Sequence, residues 1–387
     1  MPATLLNQAL PALFAGLAEM PALHDPEVLW PLLERLLVAH APSTGAALPG
    51  GIGDDIAALA GDLGLGNRWL GGLGATGNCA LYLGAQKSGA DLMVVAHMDR
   101  PSFRVRSLAD GELFPICANR FPPGEYRAPA KAVRFAEGRL VVGAAGVLIS
   151  RKGAEGETLH FEAKRGQLGW GDTVLLDVHP LWDGAQVLGT GLDNSLGVLT
   201  ALLTAAALRR VEDALLARHR RCLFVFSDQE EGPPESFFGH GAARLTYALP
   251  APSCGVVVVD AHTAGPGIRC RCRGGGVSVS AASGWGRGSL VPPNYHALAL
   301  ALTESLNAQR PGTAQLNTGY LSRSDDMVLG RWARVLALVG PPMIDPHTGY
   351  ERAVLSDVQG GVWWLSAFLV AALGLSAELS ARYGLNC

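Results

Sequence analysis

Three short apolar runs in this chain are each followed by histidine or acidic residues. The runs are DLMVVA (Asp91 to Ala96), RCLFVF (Arg221 to Phe226) and GVVVV (Gly255 to Val259). Uninterrupted apolar stretches of this length are typical of strands that are buried on both faces of a parallel sheet. Ligands of open α/β sheets bind beyond the carboxyl ends of such strands. The pattern therefore predicts a sheet with one edge crowded by polar side chains.

Segments with helical spacing of their apolar residues lie between these strands. We predict helices over residues 26–40, 54–63 and 196–209, and a further strand over Cys79 to Gly84. The predicted fold class is α/β, with a mixed, mostly parallel sheet flanked by helices.

The pattern changes between Arg100 and Gln186, where glycine is frequent and no long helical period occurs. Short alternating runs such as Leu140 to Val142 and Val147 to Arg151 are typical of strands. We predict that residues 100–186 form a small β-rich inserted domain, acting as a lid or in dimerisation. Residues 1–99 and 187–387 then form the catalytic domain.

Composition and charge exclude several classes of function. The chain has 31 Lys plus Arg against 34 Asp plus Glu, for a net charge of −3, and so lacks the basic surplus that binds a phosphate backbone. Seven cysteines, an odd and widely spread set, argue against a disulfide framework and favour a reducing cytoplasm. We expect no nucleic-acid partner and a cytoplasmic location.

The uncharged segment 360–377 approaches the length of a membrane span. However, Ser356 and Asp357 look like a helix start, Gly374 can end the helix, and no cluster of Lys or Arg flanks the run. We interpret it as a buried terminal helix and expect no membrane partner.

Histidine and acidic residues stand at the predicted strand and helix boundaries. Singly each has an ordinary explanation, such as a core histidine, a turn former or a solvated acidic turn. Together they are expected to converge on one sheet edge, and their mixture of imidazole and carboxylate suits zinc, cobalt or manganese better than magnesium. The five candidate metal ligands are His97, Asp193, Glu231, Asp260 and His347.

This set has the composition of a two-metal site, with zinc as the first expectation for both divalent ions. Such a site needs one carboxylate that bridges ions roughly 3.5–4 Å apart, with terminal ligands on either side. We assign Asp193 as the bridge. His97 and Asp260 then complete the ligands of one ion, and Glu231 and His347 complete the ligands of the other.

Two further carboxylates receive catalytic roles. Glu230 adjoins a ligand but should point elsewhere, so it is free to take the proton of the attacking water and deliver it to the leaving amine. Asp99, two residues after His97, is suited to hold the second ring nitrogen of that histidine.

The order and spacing of these motifs resemble the tetrahedral and glutamyl aminopeptidases, family forty-two of the metallopeptidases in the zinc-dependent exopeptidase superfamily. The motifs are AHMD after an apolar strand, LDN opening a helix, QEE after the next strand, an aspartate ending the following strand, and a histidine before a final helix. HAPSTG, Gly77-Asn78 and Gly171-Asp172 also fit, so the resemblance spans nearly the whole chain.

The resemblance places the same five residues on metal-ligand positions, Glu230 on the general base and Asp99 on the histidine-orienting aspartate. It also implies a cis peptide bond between Asp193 and Asn194, and homo-oligomers built around the inserted domain.

Departures from the family pattern lie near the expected substrate position. Arg100-Pro101 follows AHMD where the family has an acidic and a small apolar residue, and RSDD around Asp325 replaces a glycine-rich stretch. We take Arg100 and Asp325 as candidate substrate contacts.

The stretch IRCRCR alternates three arginines with two cysteines (Arg269, Arg271, Arg273, Cys270 and Cys272). Side chains alternate along a strand, so the arginines form either a solvated face or a receptor for a substrate carboxylate. The cysteines form either a buried face or a soft metal or redox pair.

The sequence therefore predicts a metal-dependent aminopeptidase that cleaves short peptides. One alternative is a deacylase or amidohydrolase of the same fold, acting on an N-acyl amino acid or a modified peptide. Another is a metal-free binding or assembly protein on a degenerate peptidase scaffold. Side-chain preference, physiological metal and oligomer size do not follow from the sequence.

Overall fold

The structure, a computed structural model, describes residues 11–117, 119–232, 239–265 and 273–385. Its helices, numbered along the chain, are α1 (Pro11–Ala18), α2 (Pro26–Val38), α3 (Ile52–Asp62), α4 (Leu192–Arg209), α5 (Glu212–Ala217), α6 (His240–Ala248), α7 (Pro293–Gln309), α8 (Asp326–Leu329), α9 (Leu355–Ala372) and α10 (Ala377–Tyr383).

An eight-stranded sheet forms the centre of the molecule. Its strands, in chain order, are β1 (Trp69–Gly72), β2 (Cys79–Gly84), β3 (Leu92–His97), β12 (Arg221–Ser227), β13 (Gly255–Val259), β15 (Val277–Ser280), β16 (Ala314–Leu316) and β17 (Val335–Gly340). In space the order is β1-β2-β12-β3-β13-β17-β15-β16. The four strands β12, β3, β13 and β17 are mutually parallel, while β2 and β15 run antiparallel to their inner neighbours. The predicted mixed, mostly parallel sheet is confirmed.

Two further sheets complete the fold. A six-stranded antiparallel sheet, ordered β5-β4-β9-β6-β7-β8, contains β4 (Ser102–Val105), β5 (Leu113–Pro115), β6 (Gly124–Ala136), β7 (Arg139–Gly153), β8 (Gly156–Gly166) and β9 (Thr173–Leu176). A five-stranded sheet, ordered β10-β11-β19-β18-β14, contains β10 (Leu181–Trp182), β11 (Val187–Gly189), β14 (His262–Thr263), β18 (Pro342–Ile344) and β19 (Glu351–Ala353).

The six-stranded sheet lies within the segment predicted as the insertion and has its own apolar cluster, which includes Phe103, Leu148 and Phe161. Its strands span residues 102–176, whereas β10 and β11 pair into the five-stranded sheet with β19. The domain boundaries at 100–186 stay a prediction.

Helices α4 and α9 pack against each other, and α9 also packs against α7. Trp364 of α9 is fully buried, and its indole N–H donates to Thr303 Oγ1 of α7 at 3.0 Å. Because α9 is apolar on all sides and covered on all sides, it is the buried helix predicted over the uncharged segment. It ends before Gly374, whose φ of +70° suits glycine.

In the described part of the chain no single helix is long and apolar enough to cross a membrane. Helices α9 and α10 meet that length only as a pair, and they are bent by 80° at their junction.

Candidate metal centre

The carboxyl ends of the parallel strands lie side by side and bring the predicted ligands together. His97 is the last residue of β3, Asp260 directly follows β13, and Glu231 follows β12, which is next to β3 in the sheet. His347 lies in the loop between β18 and β19. Strand order in the central sheet therefore gathers His97, Glu231 and Asp260, and a loop of the five-stranded sheet adds His347.

Asp193 reaches the same place from the first turn of α4. The backbone leaves the helical region at Asp193 and Asn194, and the peptide bond between them is cis, as the resemblance predicts. The Asn194 side chain donates to the carbonyl of Val259 at 2.8 Å and accepts from the amide of Gly197. This turn is thus tied to the end of β13, which lies directly before Asp260.

The two oxygens of the Asp193 carboxylate face two different histidines. Oδ1 lies 3.2 Å from His97 Nε2, and Oδ2 lies 3.5 Å from His347 Nε2. His97 Nε2 is also 3.3 Å from Asp260 Oδ1, and His347 Nε2 is 3.2 Å from Glu231 Oε1. Each histidine thus lies between the shared Asp193 carboxylate and one further carboxylate, and we call these two sets triads. The groups of described residues that lie close enough together to hold one ion are His97, Asp193 and Asp260; His97, Glu230 and Glu231; and Cys117, Glu231 and His347.

These separations match the edges of metal-centred tetrahedra. Ligands at about 2.0–2.1 Å from a tetrahedral zinc ion are about 3.3–3.4 Å from one another. Glu231 Oε1 and Asp260 Oδ1 are buried and accept no hydrogen bond from any described residue. A buried oxygen without a partner is costly, so this donor set suits bound cations.

The charge balance of the centre also favours cations. Burial lowers the pKa of His97 and His347, but the surrounding carboxylates, Glu230 and Glu231 foremost, raise both pKa values well above the usual range. Burial, helped by Asp193, raises the pKa of Asp260. Protons on these side chains would offset part of the excess negative charge, and divalent ions would offset it more strongly.

Glu230 lies at the rim of the same cluster. Its Oε2 is 3.9 Å from His97 Nε2, and burial raises the pKa of its carboxyl well above the usual value. Glu230 lies beside the two triads and outside them, and its role as the general base stays a prediction.

Asp99 has a different set of partners from the one expected. Its carboxylate accepts from the backbone amides of Glu230 and Glu231, at 3.0 and 3.2 Å. His97 Nδ1 lies 3.2 Å from the backbone carbonyl of Asp99 but 3.8 Å from the carboxylate. The main chain of Asp99 thus orients the imidazole, while its side chain positions the two glutamates.

Sequence reasoning missed Glu351, which begins β19. Its Oε2 accepts from the amides of Leu192 (2.7 Å) and Asp193 (3.4 Å), and its Oε1 accepts from the amide of His347 (2.9 Å). One buried carboxylate therefore holds the backbone of two predicted ligands. No motif around it signals this role.

Cys117 and Tyr320 were also missed. Cys117 Sγ donates to Glu231 Oε2 at 2.8 Å and lies 3.6 Å from His347 Nδ1. The Tyr320 hydroxyl donates to Asp260 Oδ2 at 3.1 Å. Both touch predicted ligands, and neither belongs to a recognisable motif.

Arg100 does not face the acidic cluster. It is buried, and its guanidinium donates to the carbonyls of Leu36, Leu37 and Ala39 at the end of α2. It also packs on Gly191, where an added Cβ would lie 2.0 Å from Arg100 Nε. The guanidinium stabilises a helix end, so we do not retain Arg100 as a substrate contact.

Asp325 is buried behind the end of β12, where its Oδ2 accepts from the Ser227 hydroxyl. Burial raises the pKa of Asp325 to about 7. Its role as a substrate contact stays a prediction.

The IRCRCR stretch falls mostly outside the described residues, including Arg269, Cys270, Arg271 and Cys272. Arg273 is described and donates to Gln186 Oε1 at 2.8 Å. The roles proposed for this stretch stay open.

No protein-family model and no curated protein sequence matches the chain. Solved structures do match the chain. The TET aminopeptidase of a Thaumarchaeota archaeon from marine sediment superposes with a TM-score of 0.69 at 15% identity, covering 92% of this chain and 99% of that one. For an aminopeptidase of the archaeon Desulfurococcus kamchatkensis the TM-score is 0.64 at 17% identity, with coverage of 91% and 96%.

A TET peptidase of Pyrococcus horikoshii, which can assemble into a tetrahedron or a large octahedral shell, gives a TM-score of 0.64 at 15% identity, covering 87% of this chain and 97% of that one. At such identities the likeness concerns the fold. The chain has the fold of the TET aminopeptidases, the family that its motifs resemble.

Proposed function

We propose that this protein is a two-metal aminopeptidase that acts on short peptides. The observation that carries the proposal is the Asp193 carboxylate, whose two oxygens face His97 and His347 at 3.2 and 3.5 Å. A carboxylate shared between two triads is what a bridging ligand requires.

His97 and Asp260 would hold one ion, and Glu231 and His347 the other. Two ions bound here, with zinc as the first candidate, would polarise the scissile carbonyl and supply a nucleophile at neutral pH. Glu230 takes the proton of the attacking water and returns it to the leaving amine. The Asp99 carboxylate accepts a hydrogen bond from the backbone amide of Glu230 and so keeps Glu230 in place.

We place the substrate's first side chain in a cavity of about 670 Å³ beside the centre. Tyr320 lines this cavity and also donates to Asp260, and this shared residue supports placing the substrate there. Its walls include Leu300, Leu316 and Leu321. We therefore expect a preference for large apolar residues.

The deacylase alternative uses the same centre and differs only in substrate. The metal-free scaffold alternative requires a degenerate centre, yet the described residues keep both triads and the base. We also propose a homo-oligomer, since the Pyrococcus horikoshii protein assembles into shells. A cytoplasmic location stays a prediction: Cys79 and Cys222 are not disulfide-bonded, whereas Cys254 is.

The test begins with the metal content of the purified protein, followed by hydrolysis of aminoacyl amides, short peptides and N-acyl amino acids. Glu230→Gln should bind both ions but lose about 10²–10⁴ in turnover, because it removes the base and leaves both triads intact. Glu212→Gln, a buried carboxylate outside the centre that accepts from the Gly84 amide, is the control and should keep its turnover.

Two bound ions with cleavage of N-acyl amino acids alone would favour the deacylase. Absence of bound metal after reconstitution would favour the degenerate scaffold and refute the proposal.

A further inference from the structure

In the described part of the inserted segment, the side chain of Cys117 contacts two predicted metal ligands, Glu231 and His347. This residue follows β5, and the neighbouring Ile116 amide donates to the Ser102 carbonyl of β4 at 2.8 Å. The residue is 4% exposed. Its position is thus set by the six-stranded sheet, whereas the predicted ligands come from elsewhere in the fold.

The thiol lies between the two residues placed on the second ion, on their outer side. It donates to Glu231 Oε2 at 2.8 Å and lies 3.6 Å from His347 Nδ1. The atoms that face Asp193 and each other are the opposite ones, Glu231 Oε1 and His347 Nε2, 3.2 Å apart. Cys117 therefore touches the far atom of each ligand.

The contacts of Cys117 distinguish the two carboxylate oxygens of Glu231 and the two ring nitrogens of His347. Glu231 Oε2 receives the thiol proton, while Glu231 Oε1 is buried and receives no hydrogen bond from any described residue. With its own proton donated to Glu231, the sulfur can meet Nδ1 of His347 as the acceptor of an Nδ1–H. In neutral His347 that tautomer places the lone pair on Nε2, on the side of the triad.

We infer that Cys117 is a positioning residue of the second metal position: it orients Glu231 through Oε2 and holds His347 as the Nδ1–H tautomer, so that Oε1 and Nε2 are presented to the ion. This inference rests on the proposed two-metal function. Outer partners of this kind commonly control metal affinity without touching the metal.

The experiment compares zinc binding by the full-length protein and three variants, using competition with a chromogenic chelator. Cys117→Ala should weaken the binding of one of the two ions by about 10–100-fold. Cys117→Ser retains a donor and an acceptor and should stay within a few-fold of the unsubstituted protein. Cys222→Ala removes a different buried thiol, located on β12, and should leave both affinities unchanged.

Two further measurements use the zinc-loaded protein itself, and the second of them needs no variant. Nitrogen-15 NMR of histidine-labelled protein should show His347 with a protonated Nδ1, with the signal assigned by its loss in His347→Asn. X-ray absorption should show only nitrogen and oxygen around zinc.

A sulfur neighbour at about 2.3 Å would make Cys117 a direct ligand and overturn the inference. So would unchanged zinc affinity in a folded Cys117→Ala protein, or an Nε2–H tautomer of His347. In those cases two bound zinc ions would still support the proposed function, whereas a protein that binds no zinc would refute both.

Discussion

Replacing Glu351 by glutamine should weaken metal binding without touching a ligand. The Glu351 carboxylate accepts three backbone N–H groups, from Leu192 and Asp193 on one oxygen and from His347 on the other. Glutamine offers one oxygen, so its NH₂ must face an N–H group on one side. Either the Asp193 turn or the His347 loop then loses its anchor.

The expected loss of metal affinity can be worked out in two ways. A hydrogen bond to a charged group contributes about 1.5–3 kcal/mol. Loss of an outer partner typically costs about 10–100-fold in metal affinity, which at about 1.36 kcal/mol per tenfold is about 1.4–2.7 kcal/mol. The two figures agree, so we expect a 10–100-fold loss.

Protonation adds a second readout. Burial, with Asp193 next to it, raises the pKa of Glu351 to about 8, so without metal this carboxyl holds a proton at neutral pH. Cations on Asp193 and His347 would favour the carboxylate and release that proton. Glu351→Gln cannot release it, and calorimetry in buffers of different ionisation enthalpy should count fewer protons released.

Affinity is measured by chelator competition on protein shown to be folded by circular dichroism. The matched control is Glu212→Gln, which removes a buried carboxylate that pairs with Arg68 at 2.9 Å, and which should lower stability while leaving zinc affinity unchanged. If Glu351→Gln binds both ions as tightly as the unsubstituted protein, the assignment of Glu351 as the anchor of both ligands is wrong.

Two further predictions concern pH and Arg100. Because the pKa values of His97 and His347 lie well above 6.5 without metal, and each ion must displace the proton of one of them, the affinity for each ion should fall by up to about 10-fold per pH unit below those pKa values. The stability of the metal-free protein should depend on pH in the opposite direction. Protonation of these histidines favours the folded chain, so their contribution to the free energy of unfolding is greatest below pH 6.5. It is lost as the pH rises through their pKa values in the folded protein. Thermal melts from pH 5 to 9, with and without zinc, check both; a metal-free melting temperature that rises over this range would contradict the second. Arg100→Lys should lower the free energy of unfolding by about 2–4 kcal/mol, since a single ammonium cannot serve three carbonyls, with metal affinity unchanged in chelator competition; a raised KM at unchanged stability in urea unfolding would restore Arg100 as a substrate contact.

The parts of the centre that follow strand ends were predictable. His97 and Asp260 end buried apolar strands, and parallel neighbours must deliver such residues to one edge. Asp193, Glu231 and His347 followed from the motif order. Each of these positions depends on local pattern and sheet direction, which the sequence carries.

Contacts made across the fold were not predictable. Cys117 comes from the inserted sheet and Glu351 from a three-residue strand, and neither has a motif of its own. Arg100 was misplaced because proximity in sequence to His97 suggested proximity in space. In an extended segment, alternate side chains point in opposite directions, so His97 and Asp99 face the centre while Arg100 points to the end of α2.

The spatial order β12-β3-β13-β17 has a consequence for how the protein is made. A chain emerging from the ribosome presents β3 first, but both strands that flank it, β12 and β13, are synthesised more than 120 residues later. His347 emerges after all of them. A nascent chain therefore cannot assemble both triads until β17 and β18 have been translated, and such long-range pairing is slow to form. Under the proposed two-metal function, loading of both ions would report that the whole sheet has been completed, and a stalled or truncated product ending before His347 would lack the second position.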